Sequence, residues 1–134
     1  MIAATTLPVS STRISNPVLL LRLEGAAALG LGVAAYIWLG QSWLTFALFA
    51  LAPDLSMTGY LRSPRFGALS YNLAHTYVGP ALLALSGLAL GPLAFGLAAI
   101  WVAHIGFDRM LGYGLKLDTG FQHTHLGPVG KARG

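Results

Sequence analysis

Two ionisable side chains, His104 and Asp108, stand four residues apart near the end of an apolar segment of this 134-residue chain. In an α-helix, residues at positions i and i+4 lie on the same face, so the imidazole and the carboxylate point the same way. Histidine and carboxylate together suit zinc, manganese or iron. The spacing is not a recognised metal signature by itself, so a metal site here needs further ligands from other parts of the chain.

Three more ionisable residues, Glu24, Asp54 and His75, also lie within apolar segments. Glu24, Asp54 and Asp108 are three of the 4 acidic residues in the chain, and a central Asp costs about 2.5–3.5 kcal/mol on insertion scales. At a rise of about 1.5 Å per residue, all these groups lie roughly 10–18 Å from the expected cytoplasmic boundary. We therefore expect them to share one membrane layer and to meet inside the protein.

We predict a metal site with His75, His104, Asp108 and Asp54 as ligands to zinc, manganese or iron. Asp54 or Glu24 is the hypothetical general base for hydrolysis of a lipid-like substrate by metal-activated water. Residues near these ligands in the sequence can orient them through hydrogen bonds. The supporting residues that we expect are Asn72, Tyr71 and Arg109.

The same residues admit functions of other classes. A hydrogen-bonded network could lock helix packing in a non-catalytic subunit or scaffold, with Asp108 paired to Arg109 or His104. The ionisable layer could instead form a proton or ion pathway. His75 and His104 could also ligate a tetrapyrrole from both sides, although the nearby carboxylates suit a hard cation better.

The composition predicts that these residues are positioned by membrane helices. The chain is 55 % hydrophobic and only 9 % charged, whereas a soluble domain has about 25 % charged residues. Apolar segments of spanning length predict helices over residues 17–40, 42–61, 68–90 and 93–112. Asn16 can cap the first helix, and prolines should bend the second at Pro53 and the third at Gly79-Pro80. The expected fold class is an all-α integral membrane protein, a four-transmembrane-helix bundle.

The basic residues predict the orientation of this bundle. With four spans, Arg13, Arg62, Arg65 and Lys116 all fall on one side of the membrane, and the positive-inside rule then places both termini in the cytoplasm. We expect a flexible N-terminal arm over residues 1–16 and a transmembrane domain over residues 17–115. Residues 116–134 should form a cytoplasmic tail that can contain one helical turn.

Composition also restricts the partners. The lipid bilayer is the expected surrounding, and the small-residue stripe Gly25, Ala28, Gly32 and Ala35 favours close helix contacts within a homo-oligomer or a larger membrane complex. The basic residues are scattered, so we expect no nucleic acid. The chain has 0 cysteines, which excludes disulfides and thiolate metal ligands.

Five segments together resemble one known family. They are LRLEG (21–25), APDLSMTGYL (52–61), YNLAHTYVGPALL (71–83), HIGFDRMLGYGLKL (104–117) and GFQHTHLGPVG (120–130). They closely resemble the bacterial integral-membrane family catalogued as domain of unknown function 4260, whose members typically read APDLSMLGYL, so Thr58 is a mild departure. The resemblance implies a small helical membrane protein that carries these polar blocks, and the location that we expect is the bacterial inner membrane. It implies no established activity.

Overall fold

The computed structural model describes residues 16–130, so the expected N-terminal arm falls outside the described residues except for Asn16. The Asn16 side chain accepts a hydrogen bond from the Val18 N–H and caps the first helix, as the sequence predicts. The helices in chain order are α1 Pro17–Trp38, α2 Trp43–Phe49, a 3-10 helix Ala52–Leu61, α3 Pro64–Ala74, α4 Val78–Leu90 and α5 Pro92–Leu111. Three short strands follow, β1 Lys116–Leu117, β2 Gly120–Thr124 and β3 Gly127–Pro128.

The helices are suited to a membrane. Among residues 16–130, three helical segments are long and apolar enough to cross one, namely Pro17–Trp38, Trp43–Leu61 and Pro92–Leu111. Helices α3 and α4 pass the same test together with a bend of 43° between them, and they make a fourth candidate span if counted as one. Large apolar side chains on these helices, such as Leu31 and Leu88, are exposed, as expected for surfaces that face lipid. The chain is therefore mostly helical, with three or four candidate spans.

Proline residues determine where two of the predicted helices break. The second is interrupted because α2 ends at Phe49 and the chain continues as the 3-10 helix, whose second residue is Pro53. The third is divided at residues 75–77, ahead of the predicted bend at Gly79-Pro80. Helix α4 starts two residues before Pro80, which places this proline in the first turn, where its missing N–H removes no helical hydrogen bond.

Helices α1 and α5 approach each other closely through small residues. A Cβ added at Gly32 would lie 2.8 Å from both the Ala103 nitrogen and the Ala99 oxygen. One added at Gly106 would lie 2.4 Å from the Leu29 nitrogen. Because these neighbours are backbone atoms, the two helices meet only where side chains are absent or very small. This contact fixes the position of α5 against α1, and α5 carries two of the predicted ligands, His104 and Asp108.

Residues 116–128 form a three-stranded antiparallel sheet in the order β1-β2-β3, where the sequence predicts a tail with room for one helical turn. The sequence does not predict these strands. The Asn72 side chain joins the sheet to α3, because its Nδ2 donates to the Lys116 oxygen at 2.8 Å and its Oδ1 accepts from the Lys116 nitrogen at 2.7 Å. The rings of Tyr60 and Phe121 pack edge to face, with their centroids 5.3 Å apart. The sheet thus packs against α3 and the 3-10 helix.

Candidate metal centre

Four of the predicted residues bring their ligand atoms together. They are Asp54 on the 3-10 helix, His75 at the end of α3, and His104 and Asp108 on α5. One ligand atom from each lies within 4.8 Å of all the others. We call these four residues the Asp/His cluster. The side chain of His75 is fully buried, whereas that of Asp54 is 31 % exposed and is the most accessible of the four.

The separations within the cluster are nearly equal. The two imidazole Nε2 atoms of His75 and His104 are 3.2 Å apart. Asp54 Oδ1 lies 3.2 Å from the first and 3.3 Å from the second. Asp108 Oδ2 lies 3.5 Å from the first and 3.6 Å from the second. Each carboxylate oxygen therefore lies close to both imidazoles, and the four atoms form a compact group.

Backbone carbonyls set the direction of both imidazoles. Nδ1 of His75 lies 2.8 Å from the Tyr71 oxygen, and Nδ1 of His104 lies 2.8 Å from the Ala50 oxygen. A carbonyl oxygen only accepts hydrogen bonds, so each Nδ1 must carry the proton and donate it. In a neutral imidazole the other nitrogen, Nε2, then holds a lone pair. Both lone pairs point into the cluster.

The carbonyl that orients His104 is free because the second span breaks at Pro53. In the 3-10 helix the Asp54 N–H donates to the Leu51 oxygen at 3.0 Å, one residue later than in an α-helix. The Ala50 oxygen is therefore available for His104. A proline removes one helical hydrogen bond and so leaves a nearby carbonyl free, which is the effect of Pro53 here.

The end of α3 provides the free carbonyl that orients the His75 imidazole. The His75 N–H donates to the Asn72 oxygen at 3.1 Å, which leaves the Tyr71 oxygen for the imidazole of His75 itself. The Tyr71 ring also stacks on the His75 ring, with centroids 3.6 Å apart and planes 10° apart. Its hydroxyl donates to Asp108 Oδ2 at 3.3 Å. Tyr71 thus supports two ligands at once, as its position four residues before His75 suggests.

Arg109 supports the cluster through the backbone. Its buried guanidinium donates to the His75 oxygen and to the Tyr113 oxygen, each at 2.7 Å. These carbonyls belong to the ends of α3 and α5, where unpaired carbonyls favour a cation. In the part of the chain that the structure describes, Arg109 makes no ion pair with Asp108. The pairing of these two side chains that the sequence suggests is not formed.

Two predicted site residues lie elsewhere. Glu24 is exposed on α1 and contributes no ligand atom, so its predicted place in the cluster is wrong. The reason is the rotation of α1: Gly25 faces α5, and neighbouring residues of a helix point about 100° apart. Asn72 does not contact the cluster through its side chain, which instead holds the backbone of Lys116.

Lys116 is the residue near the cluster that sequence reasoning missed as part of the site. Its side chain is buried, and its Nζ lies 5.0 Å from the ring centroid of Tyr71 and 4.0 Å from that of Phe121. Burial lowers the pKa of its ammonium, and the negative charges of Asp108 and Asp54 act in the opposite direction. In the sequence it looks like one more basic residue after the last span, so no local signal singles it out.

The protein is a small, mostly helical one with three or four candidate membrane spans and an internal group of histidines and carboxylates. The chain belongs to the family described as Domain of unknown function (DUF4260), whose sequence profile matches residues 18–129. This match confirms the family that the five segments resemble. No curated protein and no solved structure matches the chain. The family description assigns no activity, so the function has to be inferred from the cluster itself.

Proposed function

We propose that this protein is a four-span protein of the bacterial inner membrane, with both termini in the cytoplasm, that binds one divalent metal ion. The ligands are Asp54 Oδ1, His75 Nε2, His104 Nε2 and Asp108 Oδ2. The span count treats α3 and α4 as one bent span, and the orientation follows from the basic residues between and after the spans. The observation that carries the metal proposal is the convergence of four hydrogen-bond acceptors in a largely buried place.

Four acceptors at such short range need a positive species among them. Two carboxylate oxygens and two imidazole lone pairs repel one another unless protons or a cation lie between them. Metal-binding histidines almost always donate their second ring N–H to a carboxylate, a carbonyl or a water. Both His75 and His104 have this arrangement, with carbonyl partners at 2.8 Å.

The distances favour zinc among the three metals that the sequence suggests. Zinc binds nitrogen and oxygen at about 2.0–2.1 Å, so two ligands of a regular tetrahedral site lie about 3.3–3.4 Å apart. The five separations in the cluster that involve a histidine nitrogen, 3.2–3.6 Å, bracket this value. The two carboxylates would also neutralise the charge of a divalent ion.

Hydrolysis of a lipid-like substrate is the reaction that we propose for this centre. A bound divalent ion there would polarise a substrate oxygen and lower the pKa of water. Asp54 is the most exposed of the four ligands, and Pro53 and Ser56 of the same 3-10 helix line a cavity of about 280 Å³. It is therefore the carboxylate that can release the metal and act as a general base. Glu24 is exposed on α1 and is not one of the four clustered residues, so we do not assign it that role.

A second candidate function is the non-catalytic scaffold. The charges near the cluster favour it, because Asp54 and Asp108 are matched by two buried cations, Arg109 and Lys116. With shared protons in place of a metal, this set is close to neutral and would lock three elements of the fold together. The two candidates differ in metal content.

The geometry does not support binding of a tetrapyrrole. The two Nε2 atoms of His75 and His104 are only 3.2 Å apart. The oxygens of Asp54 and Asp108 lie in the same space. A macrocycle therefore has no room between the two histidines.

Metal content of the purified protein tests the proposal. The protein is purified in detergent without chelators, its affinity tag contains no histidine, and its zinc, manganese and iron are measured by elemental analysis. We expect close to one zinc per chain, and none in the variant His75→Ala, His104→Ala. The matched control is His123→Ala, His125→Ala, which removes the two histidines of the sheet and should keep the metal. If the unmutated protein holds no metal and takes up no added zinc, the metal centre is refuted, and the non-catalytic scaffold becomes the favoured function.

A further inference from the structure

We propose that a second copy of this chain packs against the outer face of α1, where Arg22 and Glu24 of each copy form ion pairs with Glu24 and Arg22 of the other. The outer face consists of Leu23, Ala27 and Ala34, which lie on one side of the helix and are all exposed. The inference rests on the proposed position of α1 in the membrane. It does not depend on whether the Asp/His cluster binds a metal.

Two charged residues of the first candidate span have no ionic partner within the described chain. Arg22 and Glu24 are both exposed on α1, between Pro17 and Trp38. Over residues 16–130, the ion pairs include neither of them. The Arg22 Nε donates to the Met110 oxygen at 2.8 Å, but a neutral carbonyl does not cancel the charge of the guanidinium. Charged side chains within a span almost always form pairs or face the protein interior. A partner that carries both signs of charge would satisfy these two residues.

The two charges flank the outer face on opposite sides. Consecutive residues of an α-helix point roughly 100° apart, so Arg22 and Glu24 lie on either side of Leu23. Their heights along the helix axis differ by only about 3 Å. Gly25 and Gly32 of the predicted small-residue stripe pack against α5 of the same chain. The side of α1 that contacts α5 is therefore occupied, and the outer face is open to a partner.

A second copy related by a two-fold axis along the membrane normal matches these charges. Such an axis makes two copies of α1 parallel, and it brings the left flank of one helix beside the right flank of the other. Arg22 of one copy then faces Glu24 of the second copy, and the same pair forms again on the other side of the interface. Like charges remain on opposite sides. This charge complementarity is the observation that favours a second copy as the partner.

The residues between the charges suit a helix contact better than a contact with lipid. Ala27 and Ala34 have short side chains, which let two helix backbones approach each other in a membrane. Leu23 is 54 % exposed in the single chain and would be covered by the second copy. Headgroup charges lie outside the hydrocarbon core, so bulk lipid offers no cation to Glu24 at its expected depth.

Cysteine crosslinking in membranes tests the interface, because the chain contains no cysteine of its own. A disulfide requires Cβ atoms about 3.5–4.5 Å apart, so only a thiol at the contact forms it efficiently. We expect Ala27→Cys to give a covalent dimer under mild oxidation. The matched control is Leu85→Cys on α4, where the leucine is 64 % exposed, and it should stay monomeric.

Charge reversal in the Ala27→Cys chain tests the ion pairs. Glu24→Arg alone and Arg22→Glu alone should each reduce the covalent dimer by about tenfold, because like charges then face each other. Chains with the two different reversals, expressed together with tags of different size, should form the mixed dimer again, since both of its pairs are opposite in charge. Elution of each variant as a single species in detergent confirms that it is folded.

The outcomes separate this inference from the proposed function. Equal crosslinking of Ala27→Cys and Leu85→Cys, or undiminished crosslinking after Glu24→Arg, would overturn the interface. Glu24 makes no described bond, so the second of these results does not depend on a variant that fails to fold. Release of the unmutated chain from membranes by alkaline carbonate would overturn the membrane position itself. A chain without metal would refute the metal centre and leave the interface unaffected.

Discussion

Replacement of Tyr71 by phenylalanine would test whether the residues around the cluster determine its affinity for metal. The change removes the hydroxyl that donates to Asp108 Oδ2 at 3.3 Å. It keeps the ring that stacks on His75 at a centroid distance of 3.6 Å. The variant therefore isolates one hydrogen bond to one proposed ligand.

The expected effect follows from the length of that bond. A hydrogen bond to a charged group contributes about 1.5–3 kcal/mol. The distance of 3.3 Å is longer than the usual range of about 2.5–3.0 Å for a hydroxyl donor, so the low end applies. A loss of about 1.4 kcal/mol is a tenfold change in affinity, and partners of metal ligands typically contribute about 10–100-fold. We expect Tyr71→Phe to bind zinc about tenfold more weakly.

Competition with a chromophoric chelator in detergent measures this affinity, and the chain provides a matched control. The hydroxyl of Tyr60 is buried and, among the described residues, has no hydrogen-bond partner. Tyr60→Phe makes the same chemical change without removing a bond, so it should leave the zinc affinity unchanged. Equal affinities for Tyr71→Phe and unmutated protein, or equal losses in the two variants, would refute the role assigned to Tyr71.

Two further predictions concern the stability of the fold. Gly106→Ala should lower the free energy of unfolding by about 1–3 kcal/mol, since its Cβ would lie 2.4 Å from a backbone nitrogen of α1. Gly30→Ala, with nothing within 4 Å of the added Cβ, should raise it by up to about 1 kcal/mol; equal effects in a denaturing-detergent titration would contradict the close contact of α1 and α5. Acidification from about pH 7.5 to about pH 5.5 should loosen the C-terminal sheet, because burial lowers the pKa of His125, whose Nδ1 accepts from the Leu115 N–H at 2.8 Å. The pKa in the folded state lies below the ordinary 6.5, so this stabilisation is complete above that pH and declines below it. Hydrogen exchange of the Leu115 amide, corrected for intrinsic rate, measures the loosening, and constant protection would contradict it.

The sequence by itself determined the apolar helical segments and four of the residues that meet, Asp54, His75, His104 and Asp108. Apolar length and low charge predict spans without knowledge of packing, because each span must satisfy its own backbone hydrogen bonds in lipid. The pairing of His104 with Asp108 follows from helical spacing. Proline predicts the break at Pro53, and the carbonyl freed there orients His104. Each of these inferences needs only local geometry.

The position of Pro80 in the sequence also indicates where α3 ends. A proline fits in the first turn of a helix, where no N–H is required. A new helix starting just before Pro80 implies an end to α3 near His75, which is where the structure has it. That end is what frees the Tyr71 carbonyl for the His75 imidazole.

Only the tertiary structure decided which faces of the helices meet. Membrane depth can be counted along a helix, but its rotation depends on which neighbour it packs against. The residue count predicts the same depth for Glu24 as for the cluster, yet Glu24 is exposed, because Gly25 takes the contact with α5. Lys116 lies against Tyr71 only because a sheet folds against α3 and the Asn72 side chain fixes its backbone there. Contacts between residues distant in the chain, 44 apart for Asn72 and Lys116, leave no periodic trace in the sequence.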